Sequence, residues 1–527
     1  MLRKRYAAVT LALATLWPGG TAALLAEDGP PSDYQYGFLN SLRVTSNSLQ
    51  SDAFESLNVV PVSASATNSL NGPVRPYEDE ASETDTEGEL SFEDRLARME
   101  KGWEDLDKAW KKLEDAEKKK KADAASKPTY KINGRIHADY WDYLNTSAGI
   151  GYFEHPSGAA FGNDPDDMFA FRRIRLEMKG DIPDHMLWRI QVDFNNPSAA
   201  ELKDGYLGFS NLPGNQVLLI GNQKRPLGLD HLNSSRFNVF MERPLVVETF
   251  NSDARRPGIC MHGYSDDETY HWSYGAFYLE NISGDGRTLG DSRQMSVNGR
   301  FGATPWYDDA SDGRGYFHWA VAGMAADPDG GASAADPFSN ESRFATRAEN
   351  RSGSRWFDTS AISGAGWYEV LAAEAIMNVG PTQIVGEYQH TFVQRDSGFN
   401  DINLSGGYVY VSYFLTGEYI PFDRTSGTIE RVVPHENFFL VDRQCGGHGV
   451  GWGAWNVAAR YSYLDLTDGD VLGGVGNAGT LALNWFWNPF AKVQFNLTHG
   501  AVTDHRNVGG YMAGDYTTLG TRFAIEF

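Results

Sequence analysis

The sequence predicts an all-β protein, a transmembrane antiparallel β-barrel of about sixteen strands, and three observations carry that prediction. The first is the end of the chain. In Thr517–Phe527, Leu519, Phe523, Ile525 and Phe527 share one face, while Thr518, Gly520, Arg522, Ala524 and Glu526 share the other. A strand sends successive side chains to opposite sides, so this period gives one apolar and one polar surface. The second is recurrence: runs of the same kind begin at Lys131 and return through the chain to Phe527. The third is the connections between runs, which alternate between tight and long, as a barrel with short turns at one end and long loops at the other requires.

Composition agrees. The 527 residues include 56 Gly, 14 Trp, 25 Tyr and 29 Phe, which suits many turns and aromatic girdles. There is no run of eighteen apolar residues, so a spanning helix is excluded, whereas a barrel leaves no such run. The formal charge of -23 disfavours nucleic acid as a partner. Any preference for anions must then come from the placement of arginines rather than from net charge. Cys260 and Cys445 form no metal-binding spacing. Two unpaired thiols are expected, with a single disulfide as the alternative.

Taken in order, residues 1–26 read as an export signal. Arg3, Lys4 and Arg5 precede the apolar run Ala7–Trp17, and small residues offer cleavage after Ala23 or Ala26. Residues 27–89 are rich in Ser, Asn, Pro and acid; they bury too little apolar surface to offset their ordering entropy and read as a flexible linker. A coiled-coil helix is expected over 90–127. Phe92, Leu96, Met99, Trp103, Leu106, Trp110 and Leu113 are spaced 4-3-4-3-4-3, which is one heptad seam, and Ser91 offers a cap. The lysines of 111–121 suit the negative end of the helix dipole. Self-association is the preferred role for the seam, against packing on its own chain.

The barrel is expected over 128–527. Its candidate strands start near 131, 168, 185, 202, 216, 257, 269, 294, 316, 366, 382, 406, 453, 478, 490 and 515. One connection breaks the alternation: 418–452 is long where a tight turn is due, so a strand is suspected near Phe438–Val441.

No catalytic constellation survives its context, so no enzyme activity and no cofactor are expected. Gly474, Gly476 and Gly479 match GxGxxG but lie between two strands, where a mobile glycine loop is the better reading. Asp164, Asp166 and Asp167 are read as a solvated loop rather than a calcium site. What remains is a ladder of cations on the polar face. Arg173 and Arg175 oppose Ile174, Leu176 and Met178; Arg189 opposes Trp188, Ile190 and Val192; Arg460 and Arg522 sit likewise. The long connection 225–258 adds Arg225, Arg236, Arg243, Arg255 and Arg256, where an inward-folded loop would narrow a pore. Arginine suits phosphate because its planar fork donates two parallel hydrogen bonds and keeps its charge. Glu177, Asp193 and Asp204 share that face, so cross-strand pairing is the competing role.

Several blocks of the chain resemble the phosphate-selective porins P and O of bacterial outer membranes. They are Phe171–Glu177, Ile220–Pro226, Gly453–Leu466, Leu483–Pro489 and Arg522–Phe527, spread over most of 130–527. The resemblance implies a sixteen-stranded homotrimeric barrel in outer-membrane lipid, passing phosphate or polyphosphate down an arginine-lined channel. The competing expectations are a general pore and, from the helix and acidic linker, a tether between outer membrane and cell wall.

Overall fold

The computed structural model describes residues 91–183, 185–196, 198–251, 255–280, 282, 294–328, 342–396, 398–439, 441–442 and 447–527. The expected signal, the linker and any pairing of Cys445 lie outside them; Cys260 is a buried free thiol.

Sixteen antiparallel strands close into one barrel. They are β1 Lys131–Thr146, β2 Met168–Ile182, β3 Met186–Asp193, β4 Glu201–Leu212, β5 Gln216–Lys224, β6 Arg255–Tyr264, β7 Tyr270–Tyr278 and β8 Met295–Tyr307, continuing with β9 Gly315–Asp327, β10 Ala365–Val379, β11 Thr382–Arg395, β12 Ile402–Phe414, β13 Ala454–Asp468, β14 Val471–Asn488, β15 Ala491–His505 and β16 Gly514–Glu526. Each pairs with its sequence neighbours, and β1 pairs with β16. Closure satisfies the backbone groups that an open edge would leave bare. The terminal residue takes part: Phe527 N–H donates to the Gly134 carbonyl (3.1 Å), and Gly134 N–H donates back to Phe527 (2.7 Å). Gly134 allows this approach, since a β-carbon there would meet the Phe527 ring at 2.1 Å.

The two-residue period is realised as the sequence predicts. On β1, Ile132, Ile136 and Tyr140 face outward, and Arg135, His137 and Asp139 are buried inside. The expected glycine loop at 474–479 is instead part of β14. Gly474, at φ +95°, is skipped in the pairing with β15, and Gly476 leaves room for the Phe357 ring.

The inner face is less wet than alternation alone implies. On β9–β14 it carries Ala322, Met324, Val370, Ile376, Val385, Tyr408 and Tyr410, all buried. These join one apolar cluster with Leu227, Leu229, Phe240, Leu245, Val246 and Phe250, from the connection that follows β5. That connection therefore folds into the barrel and stays there by hydrophobic burial, at about 1.5–3 kcal/mol for each large side chain covered. The connection after β9 adds Phe344, Trp356 and Phe357 to the same cluster. Inner-face alternation between polar and apolar is thus replaced, on this wall, by a packed interior.

The connection 415–453 is genuine: among its described residues no strand joins the barrel. Those residues form two two-residue pairings, Phe422–Asp423 with Thr428–Ile429 and Val441–Asp442 with His448–Gly449, and a single bridge between Phe438 and Gly451. It too enters the barrel. Tyr316 donates to the Ile420 carbonyl (3.0 Å), Arg314 to Gly417 (2.9 Å) and Arg300 to Gly427 (2.9 Å), while Phe422 stacks on Tyr316 at 5.0 Å. Ile429 N–H donates to Asn233 Oδ1 at 3.1 Å, so the two inward connections meet inside the barrel.

Helix α1, Phe92–Ala125, precedes the barrel. Ser91 Oγ accepts the Asp94 N–H (3.2 Å), which is its N-cap. Lys108, Lys111 and Lys118 follow Glu104, Asp107 and Glu114 by four residues, the favoured order for helix ion pairs. The lysine run stops one turn before the end, because the helix continues through 122–125, so its dipole interaction is weaker than expected. The seam residues Phe92 to Leu113 are 47–80% exposed.

Candidate functional site

The cations gather on the wall built by β16, β1, β2 and β3. Register sets them side by side: His137 opposite Arg173 and Arg135 opposite Arg175 across β1–β2, Lys179 opposite Arg189 across β2–β3, and Asp139 opposite Arg522 across β1–β16. A bulge adds one more. The β1–β2 pairing steps from His137–Arg173 to Ala138–Phe171, leaving Arg172 as the extra residue. Its guanidinium turns to Glu242 of the inward connection, in a two-point bond at 2.8 and 3.0 Å. Sequence periodicity assigns Arg172 to the lipid face, since nothing in the sequence marks a bulge.

The expected arginines fall into three groups. Most are held by carboxylates: Arg175 by Asp193 (2.6 Å), Arg189 by Glu177 and Asp204 (2.5 and 3.2 Å), and Arg255 by Asp204 (2.5 Å). Arg460 is held by Glu349 (2.5 Å), Arg522 by Asp139 (2.6 Å) and Glu242 (2.9 Å), and Arg243 by Asp230 (3.5 Å). Arg225 and Arg256 are bound to neutral groups, the first to Asn251 (2.7 Å) and the second to the Leu279 and Arg255 carbonyls. Arg255 and Arg256 open β6 and so belong to the wall rather than to a loop.

Arg173 and Arg236 differ from these. Arg173 is 4% exposed, and its Nε and Nη1 have no hydrogen-bond acceptor; Arg236 Nε has none either. Beside them, both nitrogens of His137 and Nε of Arg135 are also without partners. The other nitrogens of Arg135 donate to Ser234, Ser235 and Gln191. Buried donors without acceptors are costly unless a ligand or water satisfies them. A cluster of such donors beside paired arginines suits an anion.

A second set of cations stands at the long-loop end, in the connection after β9. Arg343, Arg347, Arg351 and Arg355 recur every fourth residue. That spacing was visible in the sequence, but nothing there places the segment over the lumen. Arg172's positive charge, followed by burial, pulls the Arg351 pKa down to about 10. Burial and then Arg355 lower that of Arg347. Arg351 is therefore close enough to Arg172 to feel it, which joins the mouth to the wall below. Burial would push the Glu242 carboxyl up, but Arg172, bonded to it, and Arg522 hold it well below the usual carboxylate range.

Across the lumen the charges are acidic and covered. Glu374 is bound by Arg300 (2.5 Å) and His318 (3.4 Å), beneath the 422–429 pairing, and Glu387 accepts the Asp230 N–H (3.3 Å). Glu430 lies at the root of that pairing, where burial and then Asp423 and Asp312 raise its pKa to about 7. The sign follows from the raised value. The folded state holds the proton more tightly than the unfolded chain, so this stabilisation is full below about pH 4.3 and lost as pH rises through about 7. Amide hydrogen exchange over 420–430 is expected to quicken between pH 6 and 8, and Glu430→Gln is expected to flatten that dependence. The aspartates read as a solvated loop serve as acceptors: Asp167 takes the Tyr143 N–H (2.8 Å) and Asp164 the Thr146 hydroxyl (3.1 Å).

Comparison with known proteins places this geometry. An uncharacterized protein of Caulobacter vibrioides is 26% identical over 423 residues, which is 76% of this chain and 74% of that one. The outer membrane channel DcaP of Acinetobacter baumannii aligns over 76% of this chain and 98% of its own, at 10% identity and a TM-score of 0.43. The trimer form of OmpT, an outer membrane protein of Vibrio cholerae, aligns over 76% and 99%, at 11% identity and a TM-score of 0.43. Structural likeness at that level adds nothing to the fold described above. The family model for phosphate-selective porins O and P matches residues 131–525, from the first barrel strand almost to the last residue. The closed barrel is that of an outer-membrane channel, and the chain belongs to the phosphate-selective porin O and P family.

Proposed function

We propose that this channel carries small anions, phosphate or polyphosphate among them, along the β16–β1–β2–β3 wall. The observation that carries this reading is the buried group of nitrogens without partners, Nε and Nη1 of Arg173, Nε of Arg135 and the His137 ring, beneath the arginines of the mouth. An entering anion exchanges hydrating water for guanidinium groups at Arg351 and Arg347, then at Arg172 and Arg173, then at Arg175 and Arg189. Carboxylates on Arg172, Arg175 and Arg189 keep those sites weak enough to release the ion, as conduction requires. Phosphate titrated into a chloride-carrying planar bilayer tests the reading. Saturable block of the chloride current supports it, and a current that phosphate leaves unchanged contradicts it.

Most arginines carry a partner carboxylate, and that favours a second reading, a general pore with weak selectivity. The same titration separates the two, since a general pore passes phosphate without block.

Helix α1 serves self-association in this account. Among the described residues its apolar heptad seam has no cover, and three copies would bury it as a short coiled coil. A Leu106→Glu, Trp110→Glu variant is expected to give a smaller trimer fraction by light scattering in detergent. An unchanged fraction at every concentration would remove the helix from assembly.

A further inference from the structure

The inward connection 415–453 leaves the barrel again, and its described residues Phe438, Phe439 and 450–452 lie on the outside of the wall. Trp485 and Trp487 share the outward face of β14 with the exposed Leu481, and Trp455 shares that of β13 with the exposed Tyr461. Phe438 sits edge-on against Trp485 at 4.6 Å, and its N–H donates to the Trp487 carbonyl (2.7 Å). The Trp452 carbonyl accepts the indole N–H of both Trp485 (2.9 Å) and Trp455 (3.1 Å), whose rings stack at 4.9 Å. The segment is thus fastened over outward-facing tryptophans at the short-turn rim. Its own large side chains point away from the protein: Phe439 is 59% exposed, Val450 66% and Trp452 77%.

We propose that Phe438, Phe439, Val450 and Trp452 form an interfacial anchor that lies in the headgroup boundary of the leaflet at the short-turn end. The inference rests on the barrel crossing a bilayer. Aromatic side chains favour that boundary, where a ring meets acyl chains and a polar edge meets water. The choice of lipid over a second copy comes from strand length. β13, β14 and β15 have 15, 18 and 15 residues, β3 and β5 only 8 and 9. At about 3.3 Å per residue and a tilt of about 45°, fifteen residues rise about 35 Å, more than the apolar band of about 25 Å. Eight residues rise only about 19 Å, short of that band. Copies of the chain would cover the short wall, leaving the long wall and the anchor beside it to lipid.

Full-length protein in phosphatidylcholine vesicles tests this, with chains brominated either near the headgroup or near the chain end. The reading is the emission of wild type minus that of Trp452→Phe. The expected result is a larger loss with shallow bromine than with deep, and little loss with aqueous iodide. Quenching by iodide without quenching by bromine would put Trp452 in water and overturn the anchor. Quenching by neither would mean that protein covers it, which overturns the anchor as well. The remaining tryptophans separate the two levels of failure: bromine quenches their emission if the barrel is inserted, whatever Trp452 does.

Discussion

An Arg173→Gln channel is expected to need roughly ten- to a hundredfold more phosphate to halve its chloride current, because a hydrogen bond to a charged group contributes about 1.5–3 kcal/mol and about 1.4 kcal/mol is a factor of ten. Arg173 is the arginine whose loss should be felt by the ion rather than by the fold. It is buried, two of its nitrogens have no protein acceptor, and its register neighbour is His137, which has none at either nitrogen. Removing its charge leaves no carboxylate newly unpaired among the described contacts. Arg256 provides the contrast. Its donors are taken by the Leu279 and Arg255 carbonyls, so Arg256→Gln is expected to leave the half-blocking concentration nearly unchanged. Titration of phosphate into the two variants, side by side in planar bilayers, checks both statements.

Arg522→Met is expected to act on the structure itself. Arg522 joins three elements: it bonds Asp139 on β1 through two nitrogens (2.7 and 2.6 Å), and from β16 it reaches Glu242 (2.9 Å) and the Met241 carbonyl in the inward connection. Its removal leaves Asp139 buried without a counter-charge, and breaking a buried pair in this way costs about 3–5 kcal/mol. Glu242 keeps Arg172, so the inward connection is loosened rather than lost. A lower unfolding temperature on heat-modifiability gels is expected, together with larger and noisier single-channel conductance. Adding Asp139→Leu removes the stranded carboxylate and is expected to recover most of the lost stability.

Much of this architecture could be read from residues alone, for a physical reason. A strand exposes alternate side chains to two solvents, so β1 with Ile132, Ile136 and Tyr140 opposite Arg135, His137 and Asp139 announces both its type and its orientation. All sixteen strands follow from that period. Three features do not. Arg172 needs a bulge, which inserts one residue without changing composition. The apolar inner face of β9–β14 needs the inward connections that cover it, and which loop folds inward is a matter of tertiary packing. The 415–453 connection suggested a missed strand because it is long where a tight turn is due; its aromatic residues serve instead to fasten it, inside on Tyr316 and outside on Trp485. The site shares this limit. The wall arginines were legible from parity, whereas the pairing that separates Arg173 from Arg175, Arg189 and Arg460 is set by neighbours on other strands and loops.

The zero-current potential across a planar bilayer, with potassium chloride more concentrated on one side, tests the central claim most directly. A basic wall that is the ion path predicts a potential near the chloride equilibrium value, moving toward zero in Arg172→Gln and Arg351→Gln channels. A wild-type potential near the potassium value would mean that cations carry the current along the acidic wall, and the account of an anion path would be wrong.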